Sequence, residues 1–319
     1  MLARDSLIQR LNQTRVALVA GCLQGAVLVL SSCGGTAPTM STTPATAPTG
    51  VSASAGGSLS AKPASSLASA SVGTDGVARI QGDLTVFAAA SLTDAFNQMK
   101  SNVEGASAGS RVTLNFAGSQ ILRTQLSQGA KADLFASADT ANMDGAKSDG
   151  SIEGQPTIFA HNKLVIVTPT SNAKVATVQD LAKPAMKVVI EQPSVPAGNY
   201  SRQALMKMSK DPAFGADFSD KVLANVVSQE TDVKAVLSRI QLGEADAGLL
   251  YVSDAASAQP GSIKTVAIPD QFNVIADYPI AVVKGAPNPT AAKAFIDYLM
   301  TPGGGQAILQ KSGLVPAVS

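Results

Sequence analysis

The segment LTVFAAASLTD, residues 84–94, decides the fold of this chain. Its first half is an apolar run that predicts a buried β-strand, and apolar residues recur at helical spacing over 92–99. Small residues join the two patterns, and Ser91 opens the helix. Because a helix N-terminus carries unpaired N–H groups and partial positive charge, this turn is a candidate anion site. The alternative is an ordinary N-cap at Ser91, with Asp94 completing a capping box.

Three more strand-to-helix turns repeat this chemistry. Ser119 follows a strand and small residues, and Ala197 lies in VPAG, residues 195–198, where small side chains leave the backbone amides uncrowded. The fourth turn leads into a helix that begins at Val233. Tyr251 ends a further predicted strand and could donate a hydrogen bond from its phenol. Helix caps, a plain loop and a half-buried structural tyrosine are the alternatives at these positions.

Strands and helices alternate along the chain from residue 82 onward. This alternation indicates an α/β fold with mainly parallel sheets. Neighbouring parallel strands end at one edge of a sheet, where ligands bind in open α/β folds, so the turns are expected to converge. Predicted strands cover residues 84–88, 111–116, 132–136, 163–168, 187–190, 248–251 and 278–283, and predicted helices cover residues 92–99, 121–128, 199–208, 233–242, 291–300 and 306–311.

The composition argues against several classes of function. Lys and Arg (24) balance Asp and Glu (23), and without a basic cluster the chain is unsuited to binding nucleic acid. Aromatic residues make up 4% and Trp is absent, which disfavours ligands that stack on flat rings. One histidine, His161, and two cysteines, Cys22 and Cys33, are too few for a His/Cys metal site. A Ser-His-Asp enzyme could use only His161, and we expect neither an enzyme nor a bound cofactor.

The first 80 residues have the pattern of a targeting segment followed by a linker. Three arginines precede an apolar run over 16–30 that leads into LSSC, which ends at Cys33 and resembles a bacterial lipobox. We predict that residues 1–32 are a lipoprotein signal peptide and that Cys33 carries lipid. Residues 33–80 are mostly small and polar, so we predict a disordered Ser/Thr/Ala/Pro tether. The expected location is extracytoplasmic and lipid-anchored at the cell membrane. The alternative is a plain membrane anchor with an incidental cysteine.

Six blocks of the chain resemble the molybdate-binding proteins of bacterial molybdate ABC importers. The family fold is the type II periplasmic-binding-protein fold, in which two α/β lobes joined by a hinge close on a ligand in the cleft between them. The resemblance implies a first lobe from residues 81–162 plus 277–319 and a second lobe from residues 163–276. The blocks are TVFAAASL (85–92), ADLFASAD (132–139), NKLV (162–165), VPAG (195–198), TDV (231–233) and GLLYVSD (248–254).

The resemblance also implies a ligand, partners and binding residues. The ligand is molybdate or tungstate, bound as an oxyanion by neutral hydrogen-bond donors, with no protein atom ligating the metal directly. The implied partners are an ABC transporter permease and, through the lipid, the membrane; the protein is expected to be a monomer. Gly118 departs from the family pattern, since relatives often have another serine there. By position the donors are the hydroxyls and amides of Ser91 and Ser119, the amides of Ala197 and Val233, and the hydroxyl of Tyr251.

Three other functions compete with this interpretation. A binding protein for sulfate, phosphate or a small organic acid is the first, and an organic acid would call for an arginine such as Arg123 or Arg202 in the cleft. A hydrolase using Ser91 or Ser119 is the second, but neither serine lies in a G-x-S-x-G motif and only His161 could serve as an imidazole base. The third is a surface interaction lipoprotein with a vestigial cleft.

The lipobox prediction is tested at its cysteine. We expect Cys33→Ala to abolish lipid labelling and to leave the signal peptide uncut or release the protein from membranes, because the thiol is the acylated group. Labelling with a radioactive fatty acid, followed by membrane fractionation, measures both effects. Cys22→Ala is the matched control and should label normally, since residue 22 lies within the predicted signal peptide. Normal labelling of Cys33→Ala would contradict the prediction.

Overall fold

A computed structural model describes residues 80–318 as two α/β lobes, each built around one sheet. The predicted signal peptide, Cys33 and all but the last residue of the predicted tether lie outside the described residues. That last residue, Ile80, is fully buried, and its carbonyl accepts a hydrogen bond from Ser110 Oγ. The ordered core therefore includes Ile80. Within residues 80–318 no helix is long and apolar enough to cross a bilayer.

The chain builds part of the first lobe, then the whole second lobe, and then returns to the first. The opening part of the first lobe comprises β1 Asp83–Ala89, α1 Thr93–Ala106, β2 Arg111–Ala117, α2 Ser119–Ser127, β3 Leu134–Ala136, α3 Thr140–Ser148 and β4 Ile152–Asn162. The second lobe comprises β5 Leu164–Pro169, β6 Val188–Glu191, α4 Pro196–Ser209, α5 Phe218–Ala224, β7 Val226–Glu230, α6 Val233–Gln241, β8 Ala247–Tyr251, α7 Val252–Ala256 and β9 Ile263–Ala267. The returning part comprises β10 Ala276–Val283, α8 Pro289–Leu299, α9 Ala307–Lys311 and β11 Val315–Pro316.

The two sheets are mixed. The first has the strand order β11-β4-β10-β3-β1-β2, and the second has the order β7-β6-β8-β5-β9. The α/β prediction is confirmed, but the prediction of mainly parallel sheets is wrong. Five of the nine strand pairs within residues 80–318 are antiparallel. The physical reason is the route of the chain: β4 leaves the first lobe and β10 re-enters it, so the two run in opposite directions side by side.

The first sheet is covered by helices on both faces. Along β1, Leu84, Val86 and Ala88 join one hydrophobic cluster, whereas Phe87 joins another, as the two-residue period of a strand requires. The first cluster includes Phe96 of α1 and Phe295 of α8, whose ring centroids are 5.7 Å apart. The second cluster lies beneath α2 and α3. This burial on both faces explains why the sequence of β1 is a continuous apolar run.

Parallel strands lead into the strand-to-helix turns that the sequence predicts as candidate anion sites. In the first lobe β1 lies between β2 and β3 and runs parallel to both, and in the second lobe β6 lies between β7 and β8 in the same way. The carboxyl ends of three strands therefore meet at one edge of each sheet. Each lobe presents three strand-to-helix turns there.

Most predicted elements are present, with ends displaced by a few residues. The longest missed strand is β4, whose sequence IEGQPTIFAHN includes Gly154 and Pro156. Gly and Pro interrupt the apolar alternation by which a strand is recognised. The structure accommodates them because the register between β4 and β10 shifts twice, next to Pro279 and around Ile280.

Asp133 ties the returning part of the chain to the first strand. Its side chain is 1% exposed, Oδ2 accepts from the Thr85 amide at 2.7 Å, and Oδ1 accepts from the Asn288 amide at 2.6 Å. Asn288 is the N-cap of α8. The carboxylate thus holds β1 and the start of α8 together, and its role is structural.

We expect Asp133→Ala to lower the free energy of unfolding by about 2–4 kcal/mol, because two amides lose their acceptor. Urea unfolding followed by circular dichroism measures the change. Asp297→Ala removes an exposed carboxylate from α8 and is the control, with an expected change within about 0.5 kcal/mol. Equal stability of the two variants would contradict this role.

Candidate oxyanion site

The five predicted binding residues all lie at the strand ends described above, and all are buried. Ser91 and Ser119 follow β1 and β2, Ala197 and Val233 begin α4 and α6, and Tyr251 ends β8. Their exposures are 6% for Ser91, 1% for Ser119, 0% for Ala197, 4% for Val233 and 1% for Tyr251.

Ser91 is held by a chain of hydrogen bonds that leaves its hydrogen free. It lies in the short 3-10 turn Ala90–Leu92, and no side chain caps this turn or α1, so the capping alternative does not apply. Instead Ser91 Oγ lies 2.9 Å from Tyr278 OH, which accepts from Asn162 Nδ2 at 3.3 Å. Asn162 Oδ1 accepts from the Lys163 amide, which fixes the orientation of the Asn162 amide. Tyr278 OH can therefore donate to Ser91 Oγ, and Ser91 retains its own O–H for a ligand.

The Ser119 hydroxyl, like that of Ser91, accepts a hydrogen bond from the protein and keeps its own hydrogen free to donate. Ser119 is the first residue of α2, and its Oγ accepts from the Ala138 amide at 3.0 Å. The preceding residue, Gly118, is the N-cap and makes no side-chain cap, so the capping alternative does not apply here either. With a lone pair already occupied, the Ser119 hydroxyl is set to donate.

The second lobe contributes helix N-termini. Ala197 lies in the first turn of α4, directly after Pro196, and Val233 is the first residue of α6. Amides at these positions have no acceptor within their own helix. Asp232 is the N-cap of α6, and its carboxylate accepts from the amides of Lys234 and Ala235 at 2.9 and 3.0 Å. This carboxylate satisfies two later amides of its own helix and leaves the Val233 amide available.

Tyr251 carries the clearest sign of a ligand. Its hydroxyl is buried and has no hydrogen-bond partner within residues 80–318. Burial raises the pKa of the phenol well above its usual value, so the group stays protonated and can donate. The ring meets the ring of Tyr278 at 5.9 Å between centroids, and this contact joins β8 of the second lobe to β10 of the first. A buried hydroxyl without a partner is costly unless something accepts its hydrogen.

Contacts link the predicted residues in two groups. Ser91 and Tyr251 both touch Tyr278. Ser119 and Val233 are linked by their neighbours, because the Gln120 side chain next to Ser119 donates to the Thr231 carbonyl at 3.0 Å. Ala197 reaches the same edge of the second sheet without a contact to the other four among the hydrogen bonds of residues 80–318.

Two buried carboxyl groups lie in the second lobe near this edge. Glu191 ends β6, is fully buried, and has no partner for either carboxyl oxygen within residues 80–318; desolvation raises its pKa well above the usual value. Asp254 in α7 is also fully buried, and desolvation raises its pKa to about 7. Lys234 Nζ lies 3.4 Å from Asp254 Oδ1, an ion-pair distance without hydrogen-bond geometry. The raised pKa values favour the neutral form of Glu191 and reduce the charge on Asp254, and the ammonium of Lys234 offsets the charge that remains on Asp254.

Sequence reasoning missed Tyr278, Asn162 and the two buried carboxyls. Tyr278 stands within a strand pattern and Asn162 at a strand end, and neither pattern distinguishes a site residue from a core residue. Glu191 gave the strongest available signal, because it is a charged residue that directly follows the apolar run VVI.

The side chains on which the alternative functions depend are bonded to other groups of the protein. Arg123 pairs with Asp149 at 2.8 Å, and Arg202 donates from Nη1 to the carbonyls of Glu191 and Gly198. His161 Nδ1 lies 2.7 Å from Asp277 Oδ1, whereas Ser91 and Ser119 bond to the Tyr278 hydroxyl and the Ala138 amide. Neither serine is therefore paired with the imidazole. Within residues 80–318 no group of three or more His, Cys, Asp or Glu side chains is placed to hold a metal ion.

Two α/β lobes that bring helix N-termini and buried donors to facing sheet edges define a solute-binding protein. A family model described as bacterial extracellular solute-binding protein matches residues 84–315. The ModA molybdate-binding protein of Mycobacterium tuberculosis is 42% identical over 231 residues, which cover 72% of this chain and 83% of that protein. The chain therefore belongs to the bacterial extracellular solute-binding proteins, among the relatives of ModA.

A second relative supports this family, and a solved structure supports the fold. A putative ABC transporter substrate-binding lipoprotein of Bacillus subtilis, YvgL, is 34% identical over 68% of this chain and 81% of its own length. The structure of the periplasmic molybdate-binding protein of Azotobacter vinelandii matches with a TM-score of 0.63 and 19% identity, covering 73% of this chain and 98% of that one. The structural likeness confirms the predicted periplasmic-binding fold.

The different bonding of Ser119 and Tyr251 predicts different effects on stability. We expect Ser119→Ala to lower the free energy of unfolding by about 1–3 kcal/mol, because the buried Ala138 amide loses its acceptor. Tyr251→Phe removes a hydroxyl that has no hydrogen-bond partner in the described part of the chain, and it should change stability by no more than about 0.5 kcal/mol. Urea unfolding in buffer free of oxyanions compares the two variants. A large loss in Tyr251→Phe would identify Tyr251 as structural.

Proposed function

We propose that this protein captures molybdate or tungstate outside the cytoplasm and delivers it to an ABC importer. The hydroxyl of Tyr251 carries the proposal, because it is buried where the lobes meet and has no hydrogen-bond partner within residues 80–318. The name of the Mycobacterium tuberculosis relative supports the choice of molybdate.

The proposed ligand is held entirely by donors. Ser91 and Ser119 each offer a hydroxyl hydrogen, Ala197 and Val233 offer backbone amides, and Tyr251 offers its phenol. An oxyanion gives up its hydration only when such donors match its oxygens. The donors come from both lobes, so ligand binding favours the closed arrangement. No residue is asked to act as a nucleophile or a base, and none ligates the metal.

Selectivity follows from the same donors. Sulfate is smaller than molybdate, so donors fixed at molybdate spacing cannot all reach its oxygens. Phosphate retains a proton near neutral pH, and a site made only of donors offers that proton no acceptor. Molybdate and tungstate are similar in size and charge, and we propose that the site accepts both.

The remaining parts of the proposal concern location and assembly. We propose that Cys33 anchors the protein by lipid at the outer face of the membrane or in the periplasm, with residues 33–79 as a tether. The description of the Bacillus subtilis relative as a lipoprotein supports the anchor. We propose a monomer whose closed form a permease recognises. We place the lobe boundaries at residue 162/163, between β4 and β5, and within one residue of 276/277, where β10 begins and the chain re-enters the first lobe.

Calorimetric titration of the full chain with molybdate, tungstate, sulfate and phosphate tests the proposal. We expect one-to-one binding of the first two and little response to the others. Ser91→Ala, Ser119→Ala and Tyr251→Phe should each weaken binding by about 1–3 kcal/mol, the cost of leaving a buried acceptor unpaired.

Tyr298→Phe is the matched control. Tyr298 lies on α8, and its hydroxyl accepts a hydrogen bond from Asn102 within the first lobe. Loss of this hydroxyl should therefore leave the affinity for molybdate unchanged. Failure of the wild-type protein to bind molybdate or tungstate would refute the proposal and direct attention to organic anions.

A further inference from the structure

Beside the five binding residues, two polar contacts join the lobes directly. Lys234 Nζ, in the first turn of α6, donates to Asp94 Oδ2, in the first turn of α1, at 3.0 Å. The Gln120 side chain, in the first turn of α2, donates to the Thr231 carbonyl at 3.0 Å. The N-terminus of α6 is therefore fixed to the N-termini of α1 and α2 across the cleft.

These contacts are adjacent in sequence to the binding residues. Asp94 follows Ser91 by one helical turn, and Gln120 is the neighbour of Ser119. Lys234 is the neighbour of Val233. A change in the distance between α6 and either first-lobe helix would thus move the donors of the two lobes relative to each other.

The second lobe holds Lys234 ready for this contact. Lys234 Nζ donates to Ser257 Oγ at 2.8 Å and lies 3.4 Å from Asp254 Oδ1, and both partners belong to the second lobe. When the lobes separate, Lys234 keeps these two partners and loses only Asp94. The ammonium group therefore needs little reorganisation to meet Asp94 again.

Gly118 permits the second contact. A Cβ atom at this position would lie 2.5 Å from the Thr231 carbonyl oxygen and as close to the Gln120 side chain. No real Cβ packs that tightly against a carbonyl, so any larger residue at 118 would push the lobes apart or displace Gln120. In this chain, with Gln120 and Thr231 placed as they are, the absence of a side chain at 118 makes room for the Gln120–Thr231 contact.

We infer that Lys234–Asp94 and Gln120–Thr231, with Gly118 making room for the latter, form an interlobe latch that sets how long the oxyanion stays bound. The inference rests on the proposed function for its ligand. These residues position the donors and do not themselves touch the ligand. The latch forms only when the lobes meet, so it acts on the rate of dissociation and leaves the rate of encounter largely unchanged.

Stopped-flow kinetics with molybdate on the full chain tests the latch, followed by tyrosine fluorescence since the chain has four Tyr and no Trp. We expect Asp94→Asn to raise the dissociation rate about two- to fivefold. Gln120→Ala should raise it about two- to tenfold. Association rates should stay within about twofold in both variants, a split that general loss of structure would not produce.

Two further variants complete the test, one that obstructs closure and one that serves as a control. Gly118→Ala should weaken binding about tenfold or more, because its Cβ obstructs closure. Asp217→Asn is the matched control, since it breaks the 2.8 Å pair with Lys221 that lies within the second lobe and should leave both rates unchanged. Thermal unfolding confirms that each variant is folded. Unchanged dissociation in folded Asp94→Asn and Gln120→Ala would overturn the latch.

A measurement without ligand separates this inference from the proposed function. Thr124 of the first lobe and Ser194 of the second line one groove, and cysteines at both positions can be joined by a short bis-maleimide. Mass spectrometry measures the yield of the cross-linked peptides that contain positions 124 and 194, and this yield reports how often the lobes are closed. Asp94→Asn and Gln120→Ala should each lower the yield. If wild-type protein fails to bind molybdate but the yield falls in the variants, the proposed function fails, whereas the role of these contacts in holding the lobes closed stands. If molybdate binds but the yield and the dissociation rate are unchanged, the latch fails alone.

Discussion

An anion buried without a cation needs a complete set of hydrogen-bond donors, and the proposed site depends on this constraint. Backbone amides at helix N-termini and hydroxyls whose lone pairs are already occupied meet it without formal charge. Ser91 and Ser119 are such hydroxyls. Ser91 Oγ can accept from the Tyr278 hydroxyl and Ser119 Oγ accepts from the Ala138 amide, so each serine keeps its own hydrogen to donate. Parallel strands, three to a lobe, bring these groups to facing edges. The antiparallel strands complete each sheet beside these edges, β10, β4 and β11 in the first lobe and β5 and β9 in the second.

The same constraint accounts for the state of nearby acids. Glu191 and Asp254 are buried close to the second-lobe edge, and ionised carboxylates there would oppose an anion. Desolvation raises the pKa of both groups, and Lys234 partly counters the rise for Asp254. Asp232 remains compatible with an anion for a different reason, because its carboxylate caps α6. These acidic residues are thus compatible with a nearby anion, Glu191 and Asp254 because their pKa values are raised and Asp232 because its carboxylate caps α6.

Local patterns in the sequence predicted much of this arrangement. The apolar run of β1 and the small residues before Ser91 indicated a strand, a turn and a helix, and the structure has all three in that order. The direction of strand pairing was not predictable in this way, because β10 joins β3 and β4 over a long separation in the chain. Tyr278 was missed for the same reason: its hydroxyl meets Ser91 across 187 positions, and no local pattern encodes such a contact. Short-range periodicity therefore identified the turns, and long-range pairing determined which groups they meet.

The double crossing between the lobes has a mechanical consequence. The chain passes from β4 to β5 at residue 163 and returns between β9 and β10 at residues 268–275. A body attached at one point can swivel about any axis, whereas a body attached at two points turns only about the line that joins them. At the first crossing Asn162 also bonds to Ser253 of the second lobe and to Tyr278 of the first, which stiffens that pivot. Two connections therefore restrict the relative motion of the lobes more than one connection would, and they favour rotation about the line that joins them. Such a restricted closure suits recognition of a small rigid tetrahedron, because it brings the proposed donors back to similar positions.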